Sequence, residues 1–64
     1  SALIGDQTRS IILWTLLDNR AYTAIELSNI VETSAQNISI HLSKLVNAEL
    51  LSVESQRRHK YYKL

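Results

Sequence analysis

The stretch S-A-Q-N-I-S-I-H-L-S-K-L, Ser34 to Leu45, decides how the chain is read. At about 100° per residue on a helix, Ile38, Leu42 and Leu45 fall on one face. Gln36, Ser39, Ile40 and Ser43 fall on the opposite face, with Asn37 and Lys44 beside them. The first face is core. The second is small and hydrogen-bonding, where an ordinary surface helix carries more Glu and Lys. A face of that kind suits close approach to base edges and phosphates. Either Ser34 with Asn37 or Thr33 with Gln36 caps the helix, which is predicted over 34–48.

Upstream, Thr23-Ala24-Ile25-Glu26 has the spacing of a capping box, with Thr23 at the N-cap and Glu26 at the third helical position. Ile25, Leu27, Ile30 and Val31 supply apolar positions for a helix over 24–31, and Glu32-Thr33-Ser34 is a tight connection. Further upstream, Ile11 to Leu17 is apolar on nearly every side. Asp6 is placed to cap this first helix, predicted over 7–18, and Asp18-Asn19-Arg20 ends it. Ile12, Leu13, Leu16 and Leu17 serve its core side. Downstream, residues 50–54 and 60–64 read as strands, because Leu51/Val53 and Tyr62/Leu64 alternate with period two. Residues 55–59 form the hairpin tip. The fold class is mostly α with a small β-hairpin (α+β). The architecture is a winged helix-turn-helix, three helices followed by a two-stranded wing, in a single domain over 1–64.

The net charge of +1 hides an asymmetry. Residues 1–54 hold Arg9, Arg20 and Lys44 against Asp6, Asp18, Glu26, Glu32, Glu49 and Glu54, a balance of −3. Residues 55–64 hold Arg57, Arg58, Lys60 and Lys63 without an acid, a balance of +4. A basic tip on a near-neutral body is the pattern of a phosphate-seeking element, although a solvated terminal strand has the same look. The chain has no cysteine, which leaves neither disulfides nor thiolate metal sites and fits a reducing cytoplasm. No apolar run approaches the roughly 20 residues a membrane-spanning helix needs.

Three stretches resemble the ArsR family of bacterial winged-helix regulators. Gly5-Asp6-Gln7-Thr8-Arg9 is similar to that family's D-P-T-R helix start, with Gln7 in place of Pro. Ser34 to Leu45 resembles its recognition helix, and Arg58-His59-Lys60-Tyr61-Tyr62-Lys63-Leu64 its second wing strand. The resemblance implies a dimer that inserts the third helix into the major groove and lays the wing near the backbone. Carried over by position, it marks Ala35, Gln36, Ser39 and Ile40 as DNA contacts. Ala35 and Ile40 can touch thymine methyls but form no hydrogen bond, so Gln36 and Ser39 are the stronger polar candidates. Glu49 and Arg57 stand where the family usually has Gly. This predicts a less sharp helix end and a longer or more mobile wing turn. Family members that sense metal place thiolates after a Glu-Leu pair. Here Glu26-Leu27 is followed by Ser28-Asn29-Ile30, so no metal or other cofactor is expected. The dimer helices that the resemblance implies flank this segment on both sides, with Leu3 and Ile4 as a remnant of the first.

Other residues carry a sharp and a plain reading. His41 sits beside the apolar face of the third helix and reads as a packed, hydrogen-bonded group before it reads as a ligand or pH sensor. His59 is either a phosphate partner when protonated or a solvated wing residue. Tyr61 and Tyr62 point to opposite faces, with Tyr62 assigned to the core. Ile11 and Trp14, three apart on the first helix, either complete the core or form a homodimer interface, Trp being a common anchor. No nucleophile–base constellation is present, which speaks against an enzyme. The expected function is sequence-specific binding of double-stranded DNA by a cytoplasmic repressor-type regulator. Asn37, Ser43 and Lys44 would join Gln36 and Ser39 in or beside the groove. Arg57, Arg58, His59 and Lys60 would lie on phosphates. The alternative is a winged-helix module for protein–protein contact.

Overall fold

The computed structural model describes residues 2–64, with side chains from Asp6 onward; those of Leu3 and Ile4 lie outside the described set. Helix α1 spans Ala2–Thr15 and runs into a 3-10 turn at Leu16–Asp18. Helix α2 spans Ala24–Val31 and α3 Ala35–Asn47. Strands β1 (Ser52–Gln56) and β2 (His59–Lys63) pair antiparallel, from Ser52 opposite Lys63 to Gln56 opposite His59. Three helices followed by a two-stranded hairpin make a winged-helix fold.

Local chemistry sets the helix starts. At Thr23 the capping box is complete: its hydroxyl accepts from the Glu26 amide, and the Glu26 carboxylate accepts from the Thr23 amide at 2.9 Å. At α3 the cap is Ser34, whose Oγ accepts from the Asn37 amide at 3.1 Å. Asn37 Nδ2 in turn donates to Thr33 Oγ1 at 2.8 Å, so Thr33 supports the turn without capping the helix. Such caps stabilise a helix by about 1 kcal/mol each.

Ile12, Leu16, Leu27, Ile38, Leu42, Leu45 and Leu51 form the buried core, with Leu13, Tyr22, Val31, Val46 and Tyr62 packed around it. Each helix therefore gives one apolar stripe, and α3 gives the widest. The hairpin is fastened to the helices through Tyr22. Its amide and carbonyl pair with those of Tyr62 at 2.9 and 2.7 Å, adding a bridge on the free edge of β2. The Tyr22 hydroxyl donates to the Asp18 carboxylate, which also accepts from the Arg20 amide at 2.8 Å. Those two bonds hold the Asp18 carboxyl below its ordinary pKa, while the bond to Asp18, and then desolvation, push the Tyr22 phenol up.

The structure corrects several expectations. Asp6 lies inside α1 and is not a cap; its carboxylate is paired with Arg9 one turn on. The α-helix does not continue over 7–18 but tightens at Leu16 and stops at Asn19 in the left-handed region. Leu17, Ile25 and Ile30, read as core, are exposed; Leu16, Leu27 and Val31 already fill the space beneath them. The first strand begins at Ser52, not Leu50. Leu50 is used in closing α3, Leu51 packs into the core ahead of the ladder, and Val53 is exposed.

Neither the less sharp helix end nor the longer wing turn expected from the missing glycines is found, for one reason. Glu49 adopts φ 60° and Arg57 φ 59°, so non-glycine residues occupy the left-handed region themselves. With Glu49 there, its amide bonds Val46 O and the Leu50 amide bonds Leu45 O, both at 2.9 Å. That double bond pattern is a sharp helix end. With Arg57 there, the wing closes in a two-residue turn, Arg57-Arg58. A non-glycine residue in this region costs on the order of 1–2 kcal/mol.

Candidate nucleic-acid interface

The residues expected to meet DNA from α3 are Ala35, Gln36, Asn37, Ser39, Ile40, Ser43 and Lys44, and all are exposed. So are Arg57, Arg58, His59 and Lys60 of the wing. The fold brings them together in two places. Ser39 and Ser43 of α3 face Arg58, His59 and Lys60 across an open cleft of about 420 Å³. Gln36 and Ile40, with Ser34 and Asn37, form a separate shallow concavity of about 280 Å³ near the start of α3. Arg57 stands outside both, at the tip of the turn, and Lys44 lies along the exposed side of α3.

The wing's basic run is divided by the pleat. Ser55 and Lys60 are cross-strand partners, as are Val53 and Tyr62, and these pairs face α3. Tyr61 and Lys63 face the other way, beside Ser52, Glu54 and Gln56. Lys63 therefore contributes charge but not to the cleft. Tyr61 and Tyr62 are both half-buried, and it is Tyr62 that packs on the core.

Thr23, Ala24 and Ile25 also line the cleft, and sequence reasoning had placed none of them there. The start of α2 is normally attractive to anions. Here the Glu26 carboxylate already occupies it through the capping box. The positive charge at this cleft thus comes from the wing cations and not from the helix end.

The polar groups of α3 are partly committed within the chain. Ser39 Oγ donates to Ala35 O at 3.0 Å, and Asn37 is tied to Thr33. Behind α3, His41 is 8% exposed, and Arg9 Nη1 of α1 donates to its Nδ1 at 3.3 Å. A guanidinium only donates, so Nδ1 must accept and the imidazole is neutral with its proton on Nε2. Burial first, then the charges of Arg9 and Lys44, lower its pKa from 6.5. On the α1 side Asp6 neutralises part of the Arg9 charge.

A pH dependence follows with a definite sign. The unfolded chain takes up a proton on His41 at a higher pH than the folded chain does. Stability is full above about pH 6.5 and declines as pH falls through the lower folded value. Urea midpoints measured from pH 7.5 downward should show this decline. In His41→Gln the decline below pH 6.5 should flatten. Equal slopes in the two proteins would contradict the assignment.

Among the described residues, no group of His, Cys, Asp and Glu is arranged to hold a metal ion, and no helix is long and apolar enough to cross a membrane. Trp14 is 75% exposed and Ile11 41%, so the reading in which Trp14 completes the core is incorrect.

Comparison with known proteins gives a consistent result. The chain is 45% identical, over all 64 residues, to the uncharacterized HTH-type transcriptional regulator YdfF of Bacillus subtilis (strain 168). It spans 28% of that relative's length. No solved structure matches it. The family model described as bacterial regulatory protein, arsR family, matches residues 6–53, which include α2, the turn and all of α3. The chain belongs to the arsR family of bacterial regulatory proteins.

Proposed function

We propose that this chain is the DNA-reading part of a bacterial transcriptional repressor. In this reading α3 enters the major groove of double-stranded DNA, and the wing lies on the backbone towards the adjacent minor groove. The observation that carries it is the cleft in which Ser39 and Ser43 face Arg58, His59 and Lys60. A groove-facing helix and a cationic hairpin on one side of a small body are what base contact plus phosphate contact requires. Gln36, Ser39 and Ile40 meet base edges. Asn37, Ser43 and Lys44 lie at the groove edges, and Arg57, Arg58, His59 and Lys60 meet phosphates. The chain works by binding alone, without catalysis, and its partner places it with the chromosome in the cytoplasm. Retention of duplexes from a randomised DNA pool tests the reading. Loss of that retention on truncating the wing cations supports it, and no retention by the intact chain rejects it.

The partner surface is α1. Ile11 and Trp14 lie three residues apart on its outward side, and neither contributes to the buried core. A large exposed aromatic beside an aliphatic residue fits an interface anchor, and we assign it to a second copy of the chain. Two copies give two recognition helices, as a two-fold-symmetric DNA site requires. Sedimentation of Trp14→Ser should yield the single-chain mass of 7.3 kDa, where the parent chain sediments as a pair. Its melting temperature should fall only by what pairing contributed and should no longer depend on chain concentration, because the indole packs on nothing central. Association unchanged by the substitution would rule this surface out.

A further inference from the structure

Ile40 is out of place by the ordinary rules of a surface helix. It is 51% exposed on α3, on the side opposite Ile38, Leu42 and Leu45, and it takes no part in the core. A β-branched residue at a solvent-facing helical position lowers helix propensity slightly and leaves apolar surface in water. Its neighbours sharpen the point. Asn37 Nδ2 is engaged with Thr33 Oγ1, and the single hydroxyl proton of Ser39 is engaged with Ala35 O. Ser39 thus has its one donor occupied before any ligand arrives, and Asn37 is tied back to Thr33 through one of its two amide protons. Gln36, one helical turn before Ile40, lines the same concavity with its amide, which has no side-chain bond among the described residues.

We propose that Ile40 is a specificity-determining residue that selects thymine through its 5-methyl group, with Gln36 reading the adjacent adenine. The major groove offers one apolar feature, the thymine methyl, and an adenine edge of N7 and N6 matches an amide donor–acceptor pair. Residues 36 and 40 are vertical neighbours on the helix. The pair therefore favours A·T base pairs at neighbouring steps. Ser39 keeps only its hydroxyl lone pairs for a base edge and Asn37 is tied back to Thr33, so Gln36 and Ile40 carry the base preference. This inference rests on α3 lying in the major groove, as proposed above.

The test removes only the methyl. A duplex retained by the chain from a randomised pool is remade with deoxyuridine at every thymine position, and the affinities of both duplexes are measured. Burial of a methyl-sized apolar group changes affinity by about fourfold, so the uracil duplex should bind about four times more weakly for each methyl contacted. Ile40→Ala should bind the thymine duplex more weakly by a similar factor and lose little more on uracil, the coupling expected of groups in contact. A parent chain that binds both duplexes equally, or an Ile40→Ala variant as sensitive to uracil as the parent, overturns the thymine assignment while leaving DNA binding intact. Failure to retain any duplex overturns the groove reading and this inference with it.

Discussion

Leu42→Ala leaves this chain largely unfolded at 37 °C. Leu42 is fully buried in α3, among Ile12, Leu16, Leu27, Ile38 and Leu45. Removing a leucine side chain from such a site costs about 2–5 kcal/mol, because the cavity left behind closes only in part. A folded chain of this size has roughly 3–10 kcal/mol of stability in total. The melting temperature should fall by roughly 10–30 °C, followed by the far-ultraviolet circular dichroism of the helices. The same measurement on Trp14→Ser, an exposed position on α1, gives the contrast. A Leu42→Ala protein that melts within a few degrees of the parent would mean that α3 is not the centre of the core.

The sequence made α3 legible because its two faces differ so sharply. Ile38, Leu42 and Leu45 leave no other rotation for the helix, and that orientation turns Gln36, Ser39, Ile40 and Ser43 outward. The capping box was legible because Thr23 and Glu26 satisfy each other within one turn. What could not be read was of two kinds. Left-handed turns at Glu49 and Arg57 were hidden because glycine's advantage there is only about 1–2 kcal/mol, which tertiary packing overrides. The pairing of Tyr22 with Tyr62, and with it the inclusion of Thr23 to Ile25 in the cleft, joins residues 40 positions apart and has no local signature. Apolar residues that face outward, such as Ile25 and Ile30, carry the same letters as core residues, so pattern alone misplaced them.

The second large effect lies in the wing. Replacing Arg57 by Gly and Arg58 and Lys60 by Ala in one chain should abolish retention of duplex DNA at 0.1 M salt. Each phosphate neutralised on B-DNA contributes a salt slope of about −0.9, so each is worth nearly tenfold between 1 M and 0.1 M salt. Three such cations account for roughly two to three orders of magnitude. Folding should survive. Gly suits the left-handed turn better than Arg57 does, and the wing stays fastened through Tyr62 to Tyr22. The Tyr22–Asp18 bond, which helps hold this junction, is not touched. A variant that melts like the parent yet binds DNA as tightly would show that the cations are a solvated surface.

In the proposed reading, the wing and the recognition helix make different demands on DNA. Cations on the hairpin would supply attraction that is the same for every sequence, and Gln36 and Ile40 would supply preference. The division explains why α3 needs so few free polar groups. It also explains why the basic charge is gathered in residues 55–64 and not spread over the helix.

The most direct measurement of the central claim is the affinity of the intact chain for one retained duplex as salt is varied. With Arg57, Arg58, His59 and Lys60 as the phosphate contacts, log K should fall against log salt with a slope of about −3 to −4 per protomer, and Arg58→Ala alone should reduce it by about one. A slope near zero, or one unmoved by Arg58→Ala, would contradict the placement of the wing on the DNA backbone.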